Sequence, residues 1–260
     1  MADKAPPQLV RAVLFTALDA LSDYLDDVVI VGGWVPQIYG WIEESPEVPV
    51  HSYDVDAALD AAVPVRGRGS IAERMKAAGF EARTADANFA LAAFGKKKPP
   101  VTQFFYRKGK LEVAVEFITP LAGRDENTPR TVQAGLVIPA LRFTEILLRH
   151  PRTVSLTGET LDGTKKKFTF KIPSLSAFVY SKGLIFVRRE SDKMGKDLAY
   201  IYETLKRPAW REEVLKGLPD VVAAHPSGWY QTFKRNLQRA FETEGAFGPA
   251  MIAREAPSRP

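Results

Sequence analysis

Two aspartates separated by a single residue are the strongest chemical signal in this 260-residue chain. Asp54 and Asp56 lie in a stretch, 52–59, whose other residues are mostly apolar, and an extended chain places both carboxylates on one face of a strand. Neighbouring carboxylates repel each other unless a cation compensates them, and hard divalent ions prefer such oxygen ligands. The spacing predicts a site for Mg²⁺, with Mn²⁺ as the alternative, suited to displacement at phosphorus. The competing interpretation is an exposed strand end with two solvated acids.

A third acid is a candidate for the same site. Residues 111–118 alternate with period two, so Glu112, Ala114, Glu116 and Ile118 share one face of a strand. Glu112 is close to the expected hairpin turn at 107–110, where a solvated position is the simpler interpretation. Glu116 is deeper in the strand, and we predict that it joins the two aspartates; a role as an ordinary strand acid is the alternative.

A pair of glycines marks a turn between a strand and a helix. Residues 28–31 are an all-apolar run typical of a buried strand, and 34–41 are expected to be helical. Gly32 and Gly33 between them would let backbone N–H groups approach a phosphate at the helix N-terminus. The purely steric need for glycine at such a turn is the alternative. Neither GxGxxG nor a GK[ST] step is present, so the Rossmann and P-loop patterns are excluded.

The elements that must position these residues form an α/β half followed by a helical half. The patterns predict helices at 9–25 and 70–78, a strand at 53–59, strands at 89–94, 101–106 and 111–118, a polar loop at 124–130, and a pair of strands at 154–156 and 168–172. Helical periodicity dominates after residue 174. We therefore expect a catalytic domain over 1–173, a helical domain over 174–248 and a disordered tail over 249–260, with the active cleft between the two domains.

This pattern resembles the nucleotidyltransferase superfamily with the polymerase-β-like fold. The resemblance implies a mixed α/β (α+β) sheet with flanking helices, in which three carboxylates hold Mg²⁺ and the ions bind the triphosphate of an NTP. It further implies that an acceptor hydroxyl attacks the α-phosphorus and expels pyrophosphate. The implied catalytic and metal-binding residues are Asp54, Asp56 and Glu116, and the implied nucleotide-binding residues in this half are Gly32, Gly33 and Ser52.

The helical half is similar to the AbiEii-type nucleotidyltransferases, the toxins of type IV toxin–antitoxin systems. The matching residues are Lys182 and the Lys196-Asp197 step. The resemblance implies that Lys182 and Asp197 face the nucleotide. Lys182 would neutralise triphosphate charge, and Asp197 would orient Lys182 or an acceptor group. It also implies a tRNA 3′ end as acceptor and an antitoxin protein as partner. An ordinary surface pair between Lys193 and Asp197 is the alternative.

The amino-acid composition excludes several classes of function. The net charge is +5, cysteine is absent and only three histidines are present, which excludes disulfide scaffolds, cysteine-ligated metals and thiol nucleophiles. No apolar run is long enough for a membrane span and no secretory signal opens the chain, so a cytoplasmic protein without a membrane partner is expected. Basic loop runs, at 66–68, 96–98, 107–110 and 165–167, suit an RNA acceptor. The acidic loop 43–49 suits a cationic small-molecule acceptor such as an antibiotic, and a third alternative is a non-catalytic RNA-binding protein that retains the fold.

Overall fold

The computed structural model describes residues 5–44, 52–86, 100–121, 123 and 129–255, which fall into two compact units. The first unit combines the described residues up to Trp34 with Ser52–Ile172. The second combines the described residues of 35–51 with those from Pro173 onward. The division near residue 173 lies where the helical half is expected to begin. Helix α2 (Trp34–Ile42), whose residues lie within the expected domain 1–173, falls largely in the second unit.

The first unit is built on a mixed sheet. Its strands are β1 (Val28–Val31), β2 (Val55–Leu59), β3 (Glu81–Asp86), β4 (Pro100–Lys108), β5 (Leu111–Pro120), β8 (Ala140–Leu141), β9 (Pro151–Glu159) and β10 (Lys165–Pro173), while β6 (Arg130–Gln133) and β7 (Leu136–Ile138) form a separate ribbon. Among the described residues the sheet order is β3-β4-β5-β2-β1-β10-β9, with β8 beside β5. The pairs β2–β5 and β1–β10 are parallel, whereas β1–β2, β3–β4 and β4–β5 are antiparallel. The predicted mixed α/β fold class is confirmed.

In the described part of the first unit, three helices support this sheet: α1 (Pro7–Ala20), α3 (Ile71–Ala77) and α4 (Thr144–Arg149). Helix α1 has proline in its first turn, where the missing N–H costs nothing. Helix α3 begins with a capping box, in which the Ser70 side chain accepts from the Glu73 backbone and the Glu73 carboxylate accepts from the Ser70 backbone. Leu147 of α4 packs against Val29 and Ala58 and so closes part of one sheet face.

The second unit is helical throughout its described part after residue 173. Its further helices are α5 (Leu175–Ile185), α6 (Ser191–Leu205), α7 (Pro208–Ala223), α8 (Ser227–Phe241) and α9 (Phe247–Glu255). A side chain at Gly183 of α5 would collide with the Phe233 ring of α8 at 2.4 Å, so glycine is what allows these helices to pack. No described helix combines the length and apolar character that crossing a membrane requires.

Several predicted boundaries were wrong. The first helix ends at Ala20 rather than residue 25, because a short 3₁₀ turn, Ser22–Tyr24, follows it. Residues 249–255, part of the tail 249–260 whose three prolines predict disorder, are helical in α9, which packs closely on α6 where Gly195 lacks a side chain. Strands β3, β6, β7 and β8 were not predicted, and β6 takes in the last residue of the expected loop 124–130. The predicted strand 89–94, the Lys run 96–98 and most of the loops 43–49 and 124–130 lie outside the described residues.

Candidate active site

The three acids singled out in the sequence converge in the first unit. Parallel pairing of β2 and β5 sets Asp56 directly beside Glu116. Asp54 lies just before β2, two residues from Asp56 and on the same side of the chain. One carboxylate oxygen from each residue lies within 4.8 Å of the other two. Pairing of two distant chain segments, rather than local sequence, thus assembles the cluster.

Neighbouring side chains hold these acids in place. The Ser52 hydroxyl donates to Asp54 Oδ1 at 2.7 Å, and Trp34 Nε1 donates to the Asp54 backbone carbonyl at 2.7 Å. On β4, Gln103 Nε2 donates to Glu116 Oε1 at 2.7 Å, and both side chains are buried. Because a buried carboxylate requires donors, Gln103 fixes the orientation of Glu116. Sequence reasoning missed Gln103 and Trp34, although an amide within the mostly apolar stretch 101–106 was a signal for the former.

Gly32 lies against the Asp56 carboxylate. It follows β1 directly, and β1 pairs Val31 with Asp56. Its φ of +70° belongs to the left-handed region, and a Cβ at this position would lie 2.1 Å from Asp56 Oδ2. Backbone conformation and close approach therefore both require glycine here. Gly33 follows it at the start of α2, as the predicted turn requires.

The electrostatics of the cluster favour a bound cation. At an effective dielectric constant of about 20, two unit charges at this separation repel by about 3 kcal/mol. The donors are carboxylate oxygens, and Glu116 is buried while the aspartates are partly exposed. Such an oxygen-only set fits Mg²⁺ or Mn²⁺ and disfavours soft metals.

Lys182 and Asp197 come together in the second unit. Lys182 Nζ lies 2.5 Å from Asp197 Oδ1, and the two side chains are only 13% and 6% exposed. Arg189 Nε approaches Asp197 Oδ2 at 3.3 Å, so one buried carboxylate serves two cations. Lys182 Nζ also lies over the Tyr200 ring, 5.4 Å from its centroid. The cluster thus holds more positive than negative charge.

Comparison with known proteins identifies the class. The sequence model of a family described as nucleotidyltransferase matches residues 12–214, which is most of the chain. The chain belongs to this nucleotidyltransferase family and is a nucleotidyl-transferring enzyme. The predicted superfamily is confirmed at that level, while the AbiEii-type resemblance stays a prediction.

A solved structure and a search of curated proteins complete the comparison. The crystal structure of an antigenic nucleotidyltransferase-like protein from Paracoccidioides brasiliensis is similar at 17% identity and a TM-score of 0.35, covering 88% of this chain and 92% of that chain. The search of curated proteins gave no match.

Proposed function

We propose that this enzyme transfers an NMP unit from a Mg²⁺-bound NTP to a hydroxyl of RNA, with a tRNA 3′ end as acceptor. Mn²⁺ is the alternative ion. The observation that supports this most strongly is the convergence of Asp54, Asp56 and Glu116 beside Gly32, since three oxygen donors next to a glycine turn suit a metal-bound triphosphate.

The reaction is an in-line displacement. The acceptor oxygen forms a bond to the α-phosphorus while the α–β phosphoanhydride bond breaks, and pyrophosphate leaves with that electron pair. Glu116, the buried carboxylate, helps the acceptor hydroxyl to lose its proton. Divalent ions, when bound by the three acids, polarise the phosphate oxygens and offset their charge.

The remaining predicted residues orient the nucleotide. Gly32 and Gly33 offer backbone N–H groups to the phosphates, and Ser52 holds the Asp54 carboxylate in place. Lys182 supplies a cation for the triphosphate, and its pairing with the buried Asp197 restricts the position of the ammonium group.

An RNA acceptor is supported by charge. The chain carries a net charge of +5, and the described cations Arg107, Lys108 and Lys110 at the β4–β5 turn are exposed. Cations on an enzyme surface attract the phosphates of RNA and make its binding salt-dependent. As in the AbiEii-type toxins it resembles, we propose that the enzyme acts in the cytoplasm and is restrained by an antitoxin protein.

The test uses α-labelled NTPs. Wild-type protein is incubated with each of the four NTPs, total tRNA and Mg²⁺, and label on the RNA is measured. We expect transfer by the wild type, none by Asp54→Asn and normal transfer by the matched control Asp60→Asn, an exposed acid just after β2. Equal transfer by both variants would refute the role of the triad. Label on an aminoglycoside but not on tRNA would favour the small-molecule alternative, and nucleotide-independent RNA binding without transfer would favour the non-catalytic one.

Growth provides the test of the toxin role. Overexpression of the wild type is expected to slow growth, and Asp56→Ala is expected to relieve it. Equal growth of the two strains would contradict the toxin proposal while leaving the transferase proposal intact.

A further inference from the structure

The sheet face that carries the three acids continues, away from β1, onto β4 and β3. Gln103 of β4 bonds to Glu116 on that face and is paired across the sheet with Arg83 of β3. Two residues further along each strand, and therefore on the same face, a second row consists of Glu81, Phe105 and Ala114 side by side. Arg83 and Phe105 thus share the surface on which the candidate metal site is found.

Arg83 and Phe105 form a stacked pair. The Arg83 guanidinium carbon lies 4.4 Å from the centroid of the Phe105 ring. Arg83 Nε and Nη2 donate to the two oxygens of Glu81 at 3.0 and 2.7 Å, and Nη1 lies 2.8 Å from Glu112 Oε2. All three guanidinium nitrogens are therefore engaged by carboxylates, which fixes the plane of the group.

This arrangement disfavours binding of phosphate and favours a flat, uncharged ligand. The two carboxylates, together with Arg83 and Arg107, which also bonds to Glu112, sum to zero charge. The edge of the Arg83 guanidinium is occupied by carboxylates, and the Phe105 ring covers one of its faces. The side chain is still 28% exposed, so the opposite face of the guanidinium is the surface open to a ligand. Guanidinium planes and aromatic rings are the groups on which nucleobases stack.

A short side chain, that of Ala114, lies between the stacked pair and the acids. Asp56 is paired with Glu116 in a parallel register, and continuing this register by two residues places Asp54 level with Ala114. Ala114 stands between Asp54 and Phe105, and it is partly exposed. Its methyl group is too short to fill the gap between these two longer side chains, whose strands are separated by about 10 Å.

We propose that the Arg83–Phe105 pair is a stacking platform for a nucleobase whose sugar and phosphate lie over Ala114 toward Asp54 and Glu116. The base comes either from the NTP or from the acceptor RNA, and both sources share this chemistry. The proposal rests on the nucleotidyl transfer proposed above, and it names two contacts that neither the carboxylate pattern nor the family supplies.

The experiment compares ligands with and without a base. In one arm, titration calorimetry measures the affinity for ATP, GTP, CTP, UTP and ribose 5′-triphosphate in the presence of Mg²⁺. In the other arm, fluorescence anisotropy measures the affinity for an RNA oligonucleotide ending in CCA and for the same RNA with an abasic 3′ residue. The wild type should prefer the base-bearing ligand by roughly tenfold or more in one arm, which identifies the source of the base.

The variants are Arg83→Gln and Phe105→Leu, with Lys76→Gln as the control, since Lys76 is an exposed cation on helix α3 rather than on the sheet. Both variants should reduce the preference to below about threefold, and the control should keep it. Ala114→Leu, which fills the space over which the sugar and phosphate lie without removing a charge, should weaken binding of base-bearing and abasic ligands alike.

Mn²⁺ binding, followed by electron paramagnetic resonance, separates this proposal from the proposed function. Variants of the platform should bind Mn²⁺ as the wild type does. A wild type that binds no Mn²⁺ would count against the carboxylate site. A wild type that binds base-bearing and abasic ligands alike in both arms, or variants that keep the full preference, would overturn the platform.

Discussion

Replacing Asp56 by asparagine should make the metal-free protein more stable and at the same time abolish its response to metal. Asp56 lies within 4.8 Å of both Asp54 and Glu116, and each such pair of charges repels by about 3 kcal/mol at an effective dielectric constant of about 20. Asp56 is partly exposed, and hydrogen-bond donors and solvent already offset much of this repulsion. We expect a net gain of about 1–2 kcal/mol in the free energy of unfolding without metal, which corresponds to roughly 2–8 °C in Tm for a chain of this size.

Asp56→Asn should reduce, rather than increase, the stability that bound metal confers. A ligand present at a hundred times its dissociation constant stabilises the folded state by about 2.7 kcal/mol, so saturating Mg²⁺ or Mn²⁺ should raise the Tm of the wild type by roughly 5–11 °C. Asp56→Asn should show almost none of this rise, because a neutral amide replaces one of the three anionic ligands.

Differential scanning calorimetry, in EDTA and then in saturating Mn²⁺, measures both effects. Asp60→Asn is the matched control, because it removes the same charge from the opposite end of β2, outside the cluster, and should leave both values near those of the wild type. The reasoning is refuted if Asp56→Asn is less stable than the wild type in EDTA, or if it keeps the full stabilisation by Mn²⁺.

Three other perturbations probe the surrounding structure. Gly32→Ala should abolish transfer and cost clearly more stability than Gly79→Ala, because Gly79 also has a positive φ but has open space around its Cβ position; urea unfolding and label transfer measure the two effects. Asp197→Ala should cost about 3–5 kcal/mol in urea unfolding, since it leaves the ammonium group of Lys182 poorly compensated, and the double variant Lys182→Met/Asp197→Leu should recover part of that loss without recovering transfer. Hydrogen bonds from the backbone and hydroxyl of the N-cap serine of α3 lower the pKa of Glu73. The ionised Glu73 therefore stabilises the fold above its unfolded pKa of about 4.3, and this stabilisation is lost as pH falls through the lowered pKa. Glu73→Gln should flatten the decline in the urea midpoint between pH 5 and 3, and an unchanged decline would contradict this.

The acids were predictable because their signal is local and chemical. An Asp-x-Asp step on a strand and a glutamate within an alternating run place charge where a strand is otherwise apolar. Alternation correctly assigned Glu116 to the face opposite Val115, and the sheet register then brought it beside Asp56. The hairpin at 107–110 was predicted by its glycine, and Gly109 does adopt a positive φ there.

The supporting residues could not be predicted because their roles arise from tertiary pairing. Gln103 acts through a hydrogen bond across strands, and although the predicted hairpin makes β4 and β5 neighbours, the register that aligns Gln103 with Glu116 is set only in the folded sheet. Strand β3, at one end of the described sheet order, escaped prediction because Glu81–Asp86 contains only charged and small residues and so has no stripe of large apolar side chains. The helical character of 249–255 likewise depends on packing against Gly195, which outweighs the local effect of proline.

The most direct test of the central claim is an anomalous-scattering map of a crystal grown with Mn²⁺ and an NTP analogue that cannot be cleaved between its α- and β-phosphates. We expect manganese density within coordinating distance of oxygens from Asp54, Asp56 and Glu116, with the triphosphate on the same ions. Manganese bound elsewhere, or a triphosphate bound away from these three carboxylates, would contradict it.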